Sequence, residues 1–339
     1  MNLSQVGEFG LINLLKKDLL PASPGVIAGI GDDAAVLQCA GDCWQLFTTD
    51  MLVEGIHFRL DWCDYADVGY KALAVNISDI AAMGGRPTHG VVSLALPEHI
   101  QVADVLAIYR GLREMAGLYQ VNLVGGDTVK SPGPLVINIA LLGEVPAGRA
   151  VYRSGAAPGD LIYTTGRLGT AAAGLYVLSH QVNCSPSLKE QLIKAHLRPV
   201  PRVAAGVLLA GLEGVSALDD NSDGLAAELR EICSASSTGC LIWQKALPVL
   251  PAVSRLAGRL GTDILDWVMN GGEDYELLFT LRPKHRRAVE EALQRAAVPF
   301  TAIGVMLPAG EGLLLERPNG VREMINMRGY NHFAGSPAG

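Results

Sequence analysis

The stretch Pro146-Ala147-Gly148-Arg149-Ala150-Val151-Tyr152-Arg153-Ser154-Gly155-Ala156-Ala157-Pro158-Gly159 divides the chain. Its two prolines and three glycines punctuate an otherwise regular pattern. Upstream, strand and helix signals alternate. Trp44 to Thr49 reads as a strand and Asp67 to Met83 as a helix stopped by Gly84-Gly85. Gly90 to Leu96 reads as a buried strand, and Val102 to Leu118 as an amphipathic helix. Val121 to Val124 and Leu135 to Leu142 are two more strands. Downstream the pattern restarts with a strand at Leu161 to Thr165 and helices at Thr170 to Ser179 and Arg202 to Ala210. It continues with a strand at Val215 to Leu218, a helix at Gly224 to Ala235 and a strand at Tyr275 to Leu281. Lys284 to Ala296 is a helix and Thr301 to Val305 a strand. The fold class expected is α/β, as two tandem domains, 1–148 and 149–339.

The length of 339 residues suits two domains, and 49% hydrophobic against 18% charged residues supplies real cores. A net charge of −7 argues against a general nucleic-acid binder. The basic run Lys284-His285-Arg286-Arg287 opens a helix behind Pro283 and reads as a solvated face. No apolar run is long enough to span a bilayer, and Met1 to Leu15 lacks the pattern of a signal peptide. Cys39, Cys43, Cys63, Cys184, Cys233 and Cys240 form no C-x-x-C pair. They read as reduced thiols of a cytoplasmic protein.

The aspartates carry the functional signal. Asp32 and Asp33 follow Gly29-Ile30-Gly31, and Asp50 follows Thr48-Thr49. Asp127 follows Gly125-Gly126, and Asp220 and Asp223 lie between a strand and a helix. These positions are expected at strand ends, where open α/β sheets bind ligands. Asp is also a good turn former and N-cap, so Asp32-Asp33 reads equally as a turn and Asp223 as an N-cap. Asp79 caps nothing, because it lies inside the apolar helix at Asn76-Ile77-Ser78-Asp79, and it needs a cation or a hydrogen-bonding partner. Two converging carboxylates about 4 Å apart repel by about 4 kcal/mol at an effective dielectric of 20. Carboxylates without His or Cys select hard cations such as Mg2+, which share their shell with phosphate oxygens. Several Mg2+ ions around a polyphosphate would offset the repulsion. The P-loop, dinucleotide, G-x-S-x-G and H-E-x-x-H signatures are all absent.

Eight motifs, in order over nearly the whole chain, resemble those of the thiamine-monophosphate kinase family. They are Gly31-Asp32-Asp33-Ala34-Ala35, Thr48-Thr49-Asp50 with Glu54-Gly55-Ile56-His57-Phe58, and Asn76-Ile77-Ser78-Asp79-Ile80-Ala81-Ala82-Met83-Gly84. Gly125-Gly126-Asp127-Thr128, Arg153-Ser154-Gly155-Ala156 and Ser222-Asp223-Gly224-Leu225 follow. Gly272-Glu273-Asp274-Tyr275-Glu276-Leu277-Leu278 and Gly329-Tyr330-Asn331-His332-Phe333 complete the set. The wider superfamily includes aminoimidazole ribonucleotide synthetase, selenophosphate synthetase and a hydrogenase maturation protein.

The resemblance implies two tandem mixed α/β domains and a homodimer whose N-terminal sheets form a barrel. It implies ATP and thiamine monophosphate as substrates and several Mg2+ ions as cofactors. Carried over by motif, Asp33, Thr48, Thr49, Asp50, Asp79, Asp127, Asp220 and Asp223 hold magnesium. Tyr109, Gly126, Asp127, Arg153 and Ser222 contact ATP, and His57, Glu273 and Tyr330 contact thiamine monophosphate. Asp50, Asp127 and Arg153 are the expected catalytic residues. The family usually has an apolar residue where this chain has Asn221, which alters local packing or adds a ligand. Neither nucleic acid nor membrane is an expected partner. The rival readings are a cyclo-ligase of the same superfamily and a nonenzymatic nucleotide-binding assembly factor.

Overall fold

The structure is a computed structural model that describes residues 3–18, 24–326, 329–330 and 332–333. Asn331 of the terminal motif and the first two residues of the Met1 to Leu15 segment lie outside the described residues.

The first unit is a six-stranded sheet. Its strands are β1 (Val26–Ala28), β2 (Ala35–Gln38), β3 (Cys43–Val53), β4 (Arg86–Leu96), β5 (Asn122–Lys130) and β6 (Val136–Pro146), in the order β1-β2-β3-β6-β4-β5. Helix α1 (Leu3–Asp18) precedes it, and α2 (Tyr65–Ala82) and α3 (Val102–Tyr119) lie within it in sequence. Only β4 and β5, joined through α3, pair in parallel. A crossover helix makes such pairing possible. Alternation along the strands separates two faces. Leu46, Leu52, Val92, Leu94, Ile137, Ile139 and Leu141 are buried with α2 and α3 in one core. Phe47, Met51 and Val91 are exposed on the other face.

The second unit is a seven-stranded sheet. It contains β7 (Leu161–Thr165), β8 (Val215–Asp220), β9 (Thr238–Trp243), β10 (Leu277–Leu281), β11 (Phe300–Pro308), β12 (Leu313–Glu316) and β13 (Arg322–Met324). The order is β13-β12-β9-β11-β7-β10-β8. Its helices are α4 (Thr170–Ser179), α5 (Pro186–Leu197), α6 (Val203–Gly211), α7 (Leu225–Ser236), α8 (Pro251–Leu260) and α9 (Arg286–Arg295). On α9, Arg286 and Arg287 pair with Glu290 and Glu291 one turn on, as a solvated face would.

Two expectations need correction. Asp50 and Asp127 are not at strand ends, because β3 runs on to Val53 and β5 runs on to Lys130. The Gly125-Gly126 pair does not stop β5, since strand pairing with β4 continues through it.

Helix α2 is buried almost all round, packed on α3 and the first sheet and touching α6 and β8 of the second unit. A helix in that position needs apolar residues on nearly every face. Its closeness to α3 depends on reciprocal glycines. A Cβ on Gly69 would run into the Ile108 carbonyl, and one on Gly111 into the Ala66 carbonyl. Gly111→Ala should therefore destabilise the fold by about 2–3 kcal/mol, as overpacking of a tight contact does. A urea midpoint unchanged from the parent protein would refute this packing argument.

Candidate active site

The buried stripe of α2 carries polar groups where the two units meet. Ser78 donates to the Asp220 carboxylate at the end of β8, and Thr48 Oγ1 donates to Asp79 Oδ2 at 2.6 Å. The Asn76 side chain accepts from the Asp50 amide at 3.0 Å, which fixes β3 against the helix. Asp33, in the β1–β2 turn, and Asp219, beside Asp220, meet the Arg153 side chain from the linker between the sheets. Arg153 Nη2 pairs with Asp33, and its Nε lies 3.0 Å from Asp219 Oδ1. The Arg153 amide is 3.2 Å from Asp32 Oδ2, so Asp32 turns toward the linker.

Burial first, and mutual repulsion second, pushes these carboxyls upward. Asp50 reaches about 6 and is also raised by Asp33, while Asp220 reaches about 8 and is also raised by Asp33 and Asp50. Asp79 is raised well above the usual range by burial, then by Asp50 and Asp220. Asp223 rises to about 7, mainly through burial. Such a group binds protons near neutrality unless a cation takes their place.

A cavity of about 550 Å3 opens beside this cluster. Asp50, Asp79, Ser222 and Asp223 line it together with His57, Lys71, His196, Glu273 and Tyr330. Glu228, fully buried in the first turn of α7, accepts from the Ser222 and Asp223 amides at 3.2 and 2.7 Å. That acceptor shapes the loop, and Asp223 is not the N-cap, since Gly224 holds that position. Glu273 follows the π-turn at Asp266–Asn270 and adopts a left-handed backbone, φ 67°. Its Oε1 is 2.5 Å from Lys71 Nζ of α2, and its Oε2 is 2.8 Å from His196 Nδ1 of α5. Burial alone would raise its pKa, but the Lys71 ammonium and then His196 outweigh burial and bring it to about 2. His57 Nδ1 accepts from the Val53 amide at 3.0 Å, and its ring lies 5.0 Å from that of His332. Tyr330 stacks edge-on against His332 and donates its amide to the Asp223 carbonyl at 2.9 Å, so the tail covers one side of the cavity.

Not every residue expected in the site is brought there. Thr49 bonds Asn138, and Asp127 aligns with Ser93, which aligns with Asn138. Both therefore stand on the sheet face opposite Thr48 and Asp50, and both are exposed. Gly126 is needed locally, because a Cβ there would run into the Val92 carbonyl. The Tyr109 ring packs on the first core and does not line the cavity. Asn221 is buried and its Nδ2 is 3.3 Å from Asp274 Oδ2, so it braces Asp274. Asp274 in turn accepts from the Gly169 and Ala171 amides at the start of α4. Glu276 is held by Arg202 and Thr165, which leaves Glu273 as the acid of its motif that reaches the cavity.

Sequence reasoning missed Lys71, His196, Asp219 and Glu228. Lys71 lies two helical turns before Asp79, and that spacing alone places both on one face. Asp219 directly precedes Asp220 in the sequence. His196 had no sequence signal, because α5 reaches the cavity only through tertiary packing.

The two-sheet fold and the acidic seam define an AIR synthase-related protein. The AIR synthase related N-terminal domain matches residues 31–145, and the C-terminal domain matches residues 157–314. The chain belongs, within that class, to the thiamine-monophosphate kinase family. It is 42% identical to the Escherichia coli K12 thiamine-monophosphate kinase over 97% of this chain and 98% of that one. It is 37% identical to the Bacillus subtilis protein over 96% and 99% of the two chains. A solved structure described as AaThiL complexed with AMPPCP and TMP superposes with a TM-score of 0.84 at 33% identity, covering 98% of this chain and 99% of that one. An Escherichia coli HypE structure, at 24% identity and a TM-score of 0.72, shares the fold.

Removing one partner of a buried ion pair strands the other charge. Lys71→Met should lower stability by about 3 kcal/mol, and Lys71→Met combined with Glu273→Gln should recover most of that loss. Urea midpoints of the two single variants and the double variant check it. Additive losses would mean that the two side chains are not energetically coupled.

Proposed function

We propose that this protein phosphorylates thiamine monophosphate to thiamine diphosphate at the expense of ATP, in the cytoplasm. The observation that carries the reading is the junction of a buried carboxylate cluster with a cavity of about 550 Å3 whose far wall is Lys71, His196 and Glu273. That volume suits a small organic ligand. The solved relative described with AMPPCP and TMP supports the same pair of ligands. The 1–148 region supplies most metal groups in this reading, and 149–339 supplies Arg153, Asp220, Ser222, Asp223, Glu273 and Tyr330.

The residues fit magnesium. Asp33 Oδ2 and Asp219 Oδ2 are buried without a hydrogen-bond partner, and the donor set is all oxygen. Asp33, Thr48, Asp50, Asp79, Asp220 and Asp223 are the proposed holders, and the ions they bind would neutralise phosphate charge. The rest of the chemistry is positioning. A phosphate monoester is largely dianionic near neutral pH, so the acceptor needs no general base. Arg153, held by Asp33 and Asp219, offers its remaining N–H groups to phosphate, with Tyr109, Gly126 and Ser222 as further ATP contacts. Asp50 and Arg153 act at the reacting phosphates. Transfer is direct and in line, without a phosphoenzyme. His57, Glu273 and Tyr330 receive the thiamine moiety. Because Lys71 already balances Glu273, its carboxylate acts there as an oriented hydrogen-bond acceptor more than as a net negative charge.

We assign Thr49 and Asp127 to a homodimer. Their sheet face exposes Phe47, Met51 and Val91, and the edge strand beside it exposes Val124 and Val129. Apolar residues gathered on one sheet face mark an interface. Two such sheets closing face to face would bring Thr49 and Asp127 into the joined surface.

Protein mixed with ATP, Mg2+ and thiamine monophosphate should yield thiamine diphosphate, and a panel of phosphomonoesters separates this kinase from a cyclo-ligase or an assembly factor. Asp50→Asn should remove most turnover with an unchanged melting point, and full activity in that variant would refute its role. Glu273→Gln should raise the KM for thiamine monophosphate about tenfold, roughly 1.4 kcal/mol, with little change for ATP. Loss of ATP affinity with normal acceptor affinity would move Glu273 to the nucleotide side.

A further inference from the structure

Asp219 has no part in the function proposed above. It precedes Asp220 at the end of β8 and is fully buried. Its Oδ1 receives Arg153 Nε at 3.0 Å and the Asp220 amide at 3.1 Å. Its Oδ2 has no partner, and neither has Asp33 Oδ2. Oxygens offered by Asp33, Asp219 and Asp220 all lie within 4.8 Å of one another. Arg153 balances one of these three charges. The two left over, with two orphaned oxygens sealed from water, match a divalent cation in charge and in donor type.

We propose that Asp219 is a carboxylate ligand of a divalent cation held jointly with Asp33 and Asp220, and that this ion binds before any nucleotide arrives. The proposal rests on the metal-binding reading of Asp33 and Asp220 and extends it. A magnesium ion held by one or two carboxylates takes the rest of its shell from substrate phosphates and water. A third carboxylate replaces part of that contribution, so the ion no longer depends on ATP to stay. The site is then charged in the resting protein, and Arg153 is the counter-cation that keeps the remaining negative charge low.

The rival role for Asp219 is an anchor that only holds Arg153 in place. The two roles have opposite signs in the metal-free protein. A ligand carboxylate without its ion is a source of repulsion, whereas an anchor is a source of stability. The test strips the full chain with chelator and titrates it with Mn2+ without nucleotide, reading free ion by electron paramagnetic resonance. Melting points are recorded with and without Mg2+. The parent protein should bind Mn2+ and gain melting temperature with Mg2+. Asp219→Asn should bind Mn2+ at least about tenfold more weakly. It should melt no lower than the parent without metal, and should lose most of the Mg2+ gain. Should Asp219→Asn fail to fold, Asp219→Ser carries the same comparison. Unchanged Mn2+ affinity in the variant overturns the proposal. So does a lower metal-free melting point with the Mg2+ gain intact, which would leave Asp219 as an anchor. A parent protein that binds no Mn2+ without nucleotide also overturns it. Neither ATP nor acceptor is present, so these outcomes are independent of the turnover assay that tests the kinase reading.

Discussion

Like charges forced together out of water are the constraint on which this structure depends. Asp33, Asp50, Asp79, Asp219 and Asp220 come from a turn, a strand, a helix and a strand end of two different units and gather in one seam, where Asp219 and Asp220 are fully buried. Left alone they would drive the units apart. The fold counters with one guanidinium, donated by the linker itself, and with single hydrogen bonds from Ser78 and Thr48. Tight packing of α2, possible only through the paired glycines at its crossing with α3, supplies the apolar burial that holds the acids in register. Stability is thus spent at the place where phosphate chemistry needs unsatisfied charge.

Much of this was legible in the sequence. Asp79 announced itself, because an acid inside an apolar helix has no local use. The linker announced itself through its prolines and glycines, and the order of the motifs carried the family. Strand limits were less legible. Asp50 and Asp127 looked like strand ends because Gly, Thr and Asp are turn formers, yet strand pairing with β6 and β4 carried the strands through them. Which face Asp127 occupies was invisible too, since a bulge between β4 and β5 resets the alternation. The partners of Glu273 were hidden more deeply. Lys71 and His196 belong to helices that meet only in the folded chain, and no spacing in the sequence joins position 196 to position 273.

The placement of Thr49 and Asp127 also separates two kinds of proposed site residue. Thr48, Asp50 and Asp79 are held by neighbours within the chain. Thr49 and Asp127 face outward among exposed apolar residues, although Thr49 also bonds Asn138. A side chain so placed acquires its working environment from whatever covers that face.

Glu273 is gripped from both sides, by Lys71 of the first unit and by His196 of the second. That grip acts as a latch across the seam. Swinging the units apart would pull the ammonium from the carboxylate and leave both in a poorly hydrated wall. A hinge-like opening is therefore disfavoured in this protein, and traffic is directed to the side closed by Tyr330 and His332.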